Sequence, residues 1–346
     1  MNCANTNLIT MKLPLISTIF VNYNGREHLE YCLPSLLKTN YPKEKLEVIV
    51  VDNSSQDDSV EFIQQKYPQI KIVVSTNEGY GTGINKGFQV SRGDYLAILN
   101  LDIKFHPDWL IHLLTPFRQE KNVGITGPLL LEFDFKRIPQ EIKIPCFSKF
   151  GYPYSHTIPH LAGGQAHPTG PIETIWVPGA AMLIKRKLFK KINGFDPIYF
   201  LYYEDFDFCF RARMAGYKIL LAPKSAIYHK ESALIDPVYT PTEKVFLTAQ
   251  NSIITILKNY SLSSLILYLP LFCLLRTADI INDILHPTHR TFARAKVKAC
   301  WSAFRKIGTI ITKRRSVQKI RVTPDKEIFK FNYGESLLKT IRQKIF

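Results

Sequence analysis

Four runs of consecutive apolar residues, rich in β-branched side chains, punctuate the first third of the chain. They lie at 15–22, 46–51, 70–75 and 95–100. Unbroken apolar runs of this length are typical of parallel strands that are buried on both faces. Segments with apolar residues at helical spacing separate them, at 26–39, 57–67 and 83–92. This alternation predicts an α/β fold whose central sheet is mostly parallel and is flanked by helices.

Residues 131–172 interrupt this alternation. They are rich in proline, glycine, histidine and aromatic side chains and show no clear period. A loop of this length in a compact chain is usually a functional lid or a loop that faces a substrate. After about residue 242, a helical pattern leads into an apolar run at 262–275 and a basic tail. We therefore expect an N-terminal extension (1–13), an α/β domain (14–240) and a helical C-terminal region that is first apolar and then basic (241–346).

The composition is that of a folded globular protein, with 46% hydrophobic and 21% charged residues. Six scattered cysteines lack metal-ligand spacing, which indicates reduced thiols and a cytoplasmic location. The net charge of +16 is concentrated late in the chain. Residues 276–346 carry 17 Lys and Arg against 5 Asp and Glu, whereas the preceding residues carry 28 against 24. Such a basic region suits an anionic lipid surface, a nucleic acid or solubility alone.

The apolar run at 262–275 is shorter than the roughly 20 residues that cross a bilayer. Pro270 interrupts it, and Lys258 and Asn259 prevent its extension towards the N-terminus. Two interpretations remain open: peripheral contact with the anionic cytoplasmic face of a membrane, or a helical subdomain that packs on the α/β domain or on a second copy in an oligomer. No nucleic-acid partner is expected, because the basic tail contains no recognisable binding motif.

Polar residues follow each of the four predicted strands. Asn22 follows the first strand, Asp52 the second, a glycine-rich turn at 77–87 the third, and Asn100 and Asp102 the fourth. The carboxyl ends of parallel strands gather at one edge of a sheet, where α/β proteins bind ligands. Each position alone is compatible with ordinary turn chemistry, but the four together predict a binding site.

The glycine-rich turn, "NEGYGTGINKG", lies between a strand and a helix, so a dinucleotide-dependent oxidoreductase is an alternative function. However, its spacing is not GxGxxG, and it follows the third strand rather than the first. We expect its glycines to let the backbone approach a ligand closely.

A second acidic cluster lies in "EDFDFCFRAR". Glu204 and Asp205 stand at a predicted helix start, followed by an apolar face formed by Phe206, Phe210 and Met214. One interpretation is structural, because acidic residues at a helix N-terminus complement the helix dipole. The other is that one carboxylate acts as a general base.

Five motifs occur in a fixed order: "VDNSSQDDS", "NEGYGTGINKG", "LNLDIKFHPDWL", "GFDPIYFLYYEDFDFCFRARMAGY" and the histidine of "SAIYHKES". Together, over roughly residues 14–260, they resemble the rhamnosyltransferase-like branch of the family 2 inverting glycosyltransferases. The resemblance implies the GT-A nucleotide-sugar fold. It also implies transfer from dTDP-rhamnose or a UDP-sugar to a glycan or lipid-linked acceptor in cell-surface polysaccharide synthesis.

The resemblance implies a role for each matching residue. Asp205 would be the catalytic base, and Asp102, assisted by His229, would bind Mg²⁺ or Mn²⁺. Asp52 would accept a hydrogen bond from a uracil or thymine base. The other implied contacts are on the donor side at Asn22, Asn77, Gly79, Asn85 and Asn100, and on the acceptor side at Glu204 and Trp176.

The chemistry of such a transfer requires these residue types. A carboxylate deprotonates the attacking hydroxyl, a hard cation stabilises the leaving diphosphate, and a single carboxylate acting as base gives inversion. Asn100 stands where many nucleotide-sugar enzymes carry a second aspartate, which implies a metal site that relies on the donor phosphates. A third hypothesis is a non-catalytic membrane-surface protein that keeps the fold without turnover.

Overall fold

The apolar runs form part of a nine-stranded sheet. The computed structural model describes residues 13–133, 141–159, 170–230 and 238–333. The strands in chain order are β1 (Ile16–Asn22), β2 (Leu46–Asp52), β3 (Lys71–Val74), β4 (Tyr95–Leu99), β5 (Ile103–Phe105), β6 (Val123–Glu132), β7 (Glu141–Phe147), β8 (Pro153–Pro159), β9 (Ile172–Glu173), β10 (Ala181–Lys185) and β11 (Lys218–His229). Strands β7 and β8 form a separate hairpin.

The main sheet has the order β3-β2-β1-β4-β10-β6-β11-β5, with β9 paired to β11. Strand β1 pairs in parallel with β2 and β4, and β2 pairs in parallel with β3. The predicted parallel strands are therefore confirmed. The sheet as a whole is mixed, because β10 runs antiparallel between β4 and β6, and β5 runs antiparallel to β11. Strand β6 also pairs in parallel with β11, so parallel pairs occur on both sides of the antiparallel strand β10.

Helices cover both faces of the sheet. They are α1 (Arg26–Leu37), α2 (Ser59–Lys66), α3 (Tyr80–Val90), α4 (Trp109–Gln119), α5 (Arg186–Lys191), α6 (Glu204–Met214), α7 (Pro241–Asn259), α8 (Leu262–Leu285), α9 (Arg290–Arg305), α10 (Ile307–Lys319) and α11 (Asp325–Ile328). Alternate residues of β1 enter two different cores: Phe20 packs in the cluster of Trp109, and Ile19 in the cluster of Phe208. The three helices predicted between the first strands are confirmed as α1, α2 and α3.

Part of the segment 131–172, which was expected to be irregular, is the hairpin of β7 and β8. Ile144 and Cys146 on β7 are buried against Leu221 of β11. The expectation missed this hairpin because Pro145 interrupts β7 and prolines bound β8, and proline is tolerated in such peripheral strands. Residues 134–140 and 160–169 lie outside the described part of the chain, so a substrate-facing role for them stays a prediction.

The C-terminal region is helical, and α8 is longer than expected. Its 24 residues include Pro270, and it is long and apolar enough to cross a membrane by length and composition. Proline costs a helix one hydrogen bond, which α8 tolerates because Pro270 lies on an exposed face. The opposite face packs on the α/β domain, where Phe272 and Leu275 share a cluster with Phe210 of α6. The predicted helical subdomain therefore contacts the α/β domain.

A buried charge cluster joins the C-terminal helices to α6. Lys258 of α7 is fully buried, and its Nζ lies 2.6 Å from Asp196 Oδ2 and 2.7 Å from Asp207 Oδ1. Asp207 also pairs with Arg211 at 2.8 Å, and Lys313 of α10 pairs with Asp196 at 2.6 Å. Burial opposes the charged form of each carboxylate, but these cations hold the pKa of Asp196 and of Asp207 below the ordinary value. The cluster therefore fixes α7 and α10 to the helix that begins at Glu204.

Candidate active site

A cleft of about 390 Å³ opens at the carboxyl ends of β1 to β4. Its lining includes seven of the residues that were predicted to form the site: Asn77, Gly79, Asn100, Asp102, Glu204, Asp205 and His229. The strand-end residues and the start of α6, which lie about a hundred positions apart in the chain, therefore meet in one cleft. This is the edge of the sheet at which α/β proteins bind ligands.

Asn22 and Asp52 do not line the cleft. Their side chains form hydrogen bonds within the turns beside it. The Asn22 side chain donates from Nδ2 to Asp52 Oδ1 at 2.7 Å and to Ser59 at 2.7 Å, and its Oδ1 accepts from the backbone N–H of Gly25. The Asn22 amide is therefore engaged within the protein, and the donor contact expected of it stays a prediction. Asp52 also accepts from the backbone N–H of Ser55 at 3.1 Å, which holds its carboxylate at the end of β2.

Asn85 and Trp176 also lie outside the lining of the cleft. Asn85 Nδ2 donates to the carbonyl oxygen of Phe195 at 2.8 Å, and its Oδ1 accepts from the Phe195 N–H at 2.9 Å. Its amide therefore fastens α3 to the segment before α6, and the donor contact expected of it stays a prediction. The Trp176 ring packs edge-to-face on Phe206, with the ring centroids 6.1 Å apart. The acceptor contact expected of Trp176 stays a prediction.

Gly79 brings two parts of the protein together rather than opening space for a ligand. Its φ of 96° is a left-handed conformation, and a Cβ at this position would lie 2.3 Å from the carbonyl oxygen of Phe200. The next residue, Tyr80, donates its backbone N–H to that same oxygen at 3.0 Å. The close approach predicted for the glycine turn is therefore made to protein backbone. The feature that favoured a dinucleotide-binding oxidoreductase is explained by packing.

Asp102 and His229 form a polar wall of the cleft, because antiparallel pairing places His229 of β11 opposite Ile103 of β5. His229 Nε2 lies 3.3 Å from Asp102 Oδ1. Within the described residues, Asp102 Oδ1 and both imidazole nitrogens are buried without a well-formed hydrogen bond. Buried polar atoms of this kind require a partner, and carboxylate oxygen and imidazole nitrogen are both metal ligands.

This pair is a small ligand set. No group of three or more His, Cys, Asp or Glu side chains suited to a metal ion occurs in the described part of the chain. Mg²⁺ usually keeps several waters and binds through one or two carboxylates together with substrate phosphates. The residues present therefore fit a divalent cation that is completed by a bound diphosphate, in agreement with the absence of a second carboxylate at Asn100.

Asp205 is held at the start of α6 with its carboxylate at the cleft. Its Oδ2 accepts from the backbone N–H of Gly179 at 2.8 Å, and its Oδ1 accepts from the N–H of Phe206 at 2.7 Å. Burial raises the pKa of Asp205, although these two donors oppose the shift. A raised pKa makes a carboxylate a stronger base, provided that it is still ionised at the working pH.

The pKa of Glu204 is shifted further from its ordinary value than the pKa of the adjacent Asp205. Glu204 is buried in the cleft wall, and its Oε2 has no hydrogen-bond partner among the described residues. Burial first, and the neighbouring Asp205 second, raise the pKa of Glu204 to about 8. Both shifts favour the protonated form of Glu204 in the folded protein.

Two strained residues precede these acids. Tyr202 and Tyr203 both have left-handed backbones, with φ of 68° and 69°. Non-glycine residues rarely adopt this conformation, and it persists only where the surroundings impose it. Here Asn251 of α7 donates from Nδ2 to the carbonyl oxygens of Leu201 and Tyr202, each at 2.9 Å. A C-terminal helix therefore holds the bend that aims Glu204 and Asp205 into the cleft.

The raised pKa of Glu204 predicts a pH-dependent stability that Glu204→Gln removes. Between the ordinary value of 4.5 and about 8, the folded protein holds a proton on Glu204 that the unfolded chain has released. The free energy of unfolding therefore falls as the pH rises through this window. We expect the difference in Tm, variant minus wild type, to increase from pH 5 to pH 8 in thermal unfolding without ligands. An unchanged difference would show that Glu204 is ionised in the folded protein.

Four residues that were given no role in the predicted site, Asn53, Tyr80, Tyr202 and Tyr239, also line the cleft. Asn53 directly follows Asp52, and its Oδ1 is buried without a partner among the described residues, so it is available to a ligand. Its place at a strand end was a usable signal. The aromatic residues gave no such signal, because tyrosines are spread throughout this chain.

Comparison with protein families gives two matches. The model of "Glycosyl transferase family 2" matches residues 17–192, and that of "Glycosyl transferase family group 2" matches residues 165–277. An N-acetylglucosaminyl-diphospho-decaprenol L-rhamnosyltransferase from Mycobacterium tuberculosis is 27% identical over 251 residues, which cover 65% of this chain and 78% of the relative. Glycosyltransferase AglE from Haloferax volcanii is 37% identical over 106 residues, which cover 30% of this chain and 35% of the relative.

Solved structures share the architecture at low sequence identity. GalNAc-T7, solved with UDP, GalNAc and Mn²⁺, superposes with a TM-score of 0.58 and 19% identity over 71% of this chain and 48% of its own. The mannosyltransferase PcManGT from Pyrobaculum calidifontis, solved with GDP-Man and Mn²⁺, gives a TM-score of 0.51 and 15% identity over 96% of this chain and 87% of its own. These likenesses confirm the predicted GT-A fold.

Proposed function

This protein belongs to glycosyl transferase family 2, and we propose that it moves a sugar from a nucleoside diphosphate to a hydroxyl group of a glycan or lipid-linked acceptor with inversion. The observation that carries this proposal is the meeting of Asp205 with Asp102 and His229 in one cleft. A base and a cation site on the walls of a single cleft are what displacement of a diphosphate from an anomeric carbon requires.

In this proposal Asp205 is the general base. Its carboxylate accepts the proton of the acceptor hydroxyl as that oxygen attacks the anomeric carbon, and the bond to the diphosphate breaks. The N–H groups of Gly179 and Phe206 fix the carboxylate, so little reorganisation is needed at the moment of transfer. Asp205 acts as the base and not as a nucleophile in this proposal, so a single displacement gives inversion.

The donor would lie along the strand ends. Asp102 and His229 would hold Mg²⁺ or Mn²⁺, which supplies Lewis-acid stabilisation of the leaving diphosphate when it is bound. Asn53, Asn77 and Asn100 offer amides to the ribose or the sugar. Asp52 keeps the role of accepting a hydrogen bond from the nucleobase, since its carboxylate has lone pairs beyond those used by Asn22 and Ser55.

The donor sugar that we favour is rhamnose carried on dTDP, with UDP-sugars as the second choice. The support is the likeness to the mycobacterial relative, which is named for rhamnosyl transfer to a decaprenol-linked acceptor. A lipid-linked acceptor would place the reaction at the cytoplasmic face of a bacterial membrane, in the synthesis of a cell-surface glycan.

Ligand-induced thermal stabilisation tests the nucleotide and metal parts of the proposal. A ligand that binds the folded state raises its stability by mass action. We expect UDP or TDP with Mn²⁺ to raise the Tm by at least about 2 °C, and more than the nucleotide or Mn²⁺ alone. Asp102→Asn should abolish the extra gain from Mn²⁺, whereas the exposed control Asp58→Asn should retain it. The proposal fails if neither nucleotide stabilises the wild type with or without Mn²⁺.

A further inference from the structure

Helix α8 carries an exposed apolar stripe along its whole length. The exposed positions recur every three or four residues, which places them on one helical face. They are Leu262, Ile266, Leu267, Pro270, Cys273, Leu274, Thr277, Ile281, Ile284 and Leu285. At about 1.5 Å per residue, the stripe is about 36 Å long. No charged side chain interrupts it within this described helix, and Ile266 and Leu267 are 71% and 65% exposed.

The neighbouring helix α9 also exposes apolar side chains. Lys296 of α9 pairs with Asp279 of α8 at 2.8 Å and with Asp283 at 2.7 Å, so the two helices lie side by side. The α9 residues Trp301 and Phe304 stack on each other and are 61% and 63% exposed. Soluble proteins rarely expose contiguous apolar patches of this kind unless the patch binds a partner.

The charges around this surface have one sign. Between residues 262 and 320, all of which are described, the acidic residues are Asp279 and Asp283, and both are buried and paired with cations. The exposed charged side chains in the same span are Arg290, Arg294, Lys298, Arg305, Arg315 and Lys319. Residues 262–320 therefore expose apolar and cationic groups together and no carboxylate.

We propose that the exposed face of α8 and α9 docks on an anionic lipid bilayer. Apolar side chains would enter the boundary between headgroups and acyl chains, and the flanking cations would contact lipid phosphates. Aromatic residues such as Trp301 favour this boundary. A second copy of the chain is a poorer occupant, because it would bring two cationic surfaces together. This inference does not depend on the chemistry of the cleft.

The arrangement describes a helix that lies on the membrane rather than one that crosses it. One face of α8 is already buried, with Phe272 and Leu275 in a core shared with α6. The same helix carries Asp279 and Asp283, which pair with Lys296 of α9, and Arg276, which donates to Ser252 Oγ of α7 at 2.9 Å. Crossing a bilayer would separate these groups from their partners at a high cost in free energy.

Vesicle co-sedimentation of the full chain tests the proposal. We expect binding to vesicles of equal parts phosphatidylcholine and phosphatidylglycerol to exceed binding to phosphatidylcholine alone by at least about tenfold, and to fall in high salt. The double variant Leu267→Glu with Ile281→Glu should bind at least about tenfold more weakly. Val74→Glu is the matched control, since Val74 is 74% exposed on β3, and it should bind as the wild type does.

A second measurement avoids any loss of folding caused by the acidic variants. Cys273 is exposed within the stripe and Cys300 is partly exposed, so a polarity-sensitive fluorophore is placed on Cys273 in a background with Cys3→Ser and Cys300→Ser. Its emission should shift to the blue when the mixed vesicles are added. Three results would overturn the proposal: no sedimentation of the wild type, no spectral shift at Cys273, or a solution dimer that the double variant converts to a monomer. Retention of the protein after alkaline carbonate washing would instead indicate a spanning helix.

Discussion

Asp205→Asn is expected to reduce sugar transfer by about a thousandfold, in the middle of the range that general bases contribute. The substitution removes the group that accepts the acceptor proton but keeps the size of the side chain. It also keeps an oxygen for one of the two N–H groups, of Gly179 or Phe206, that Asp205 binds. Steady-state transfer assays with saturating donor and acceptor measure the effect. Donor binding, followed by the thermal shift with UDP or TDP, should be unchanged, because Asp205 lies on the acceptor side of the proposed reaction.

Asp58→Asn is the matched control for this experiment. The Asp58 side chain is 70% exposed and lies before α2, away from the start of α6, so the same change of charge should leave transfer unaffected. A variant Asp205→Asn that retains full transfer would remove Asp205 from the mechanism. Loss of transfer together with loss of nucleotide binding would point to a collapsed cleft instead.

Lys258→Met is expected to lower the free energy of unfolding by about 3–5 kcal/mol, the typical cost of removing one partner from a buried ion pair. The Lys258 ammonium is fully buried between Asp196 and Asp207. Without it, Asp207 retains Arg211, and Asp196 retains Lys313, but the carboxylates lose the charge that lies between them. Urea unfolding at neutral pH measures the change.

Lys319→Met serves as the control, because Lys319 is an exposed lysine at the end of α10. Its loss should change the free energy of unfolding by less than about 0.5 kcal/mol. An equally small change for Lys258→Met would mean that the free-energy cost of burying Lys258, Asp196 and Asp207 equals the attraction between them. In that case the cluster would serve specificity of packing rather than stability.

The parallel strands and the edge that binds ligands were predictable because burial on both faces leaves an unbroken apolar run, as in β1. The side-chain partners of Asn85 and Trp176 were not predictable in the same way. Asn85 binds the backbone of Phe195, which is 110 positions away. The residues next to Asn85 in the sequence do not indicate that contact. The local sequence around an asparagine beside a glycine turn does not show whether its amide contacts a ligand or a distant loop.

Local sequence patterns also failed to predict how the later strands pair and where the later helices end. The apolar run of β10 predicts a buried strand but not the direction in which that strand runs. Its antiparallel pairing with β4 was therefore not predictable from the sequence. Pro270 suggested an end to the apolar helix, but a proline on a solvent-facing side is tolerated where water reaches the unpaired carbonyl group. The left-handed backbones of Tyr202 and Tyr203 arise from Asn251 in another helix, which is tertiary information.

The contact of Asn251 with the bend before Glu204 has a consequence for protein engineering. The residues proposed for chemistry all precede residue 241, yet the bend that presents two of them is held from α7. A fragment trimmed to the α/β domain would keep every proposed catalytic side chain and still lose the support for their placement. Chimeras that exchange acceptor specificity between relatives should therefore transplant the segment from Phe200 to Asp205 together with α7 as one cassette.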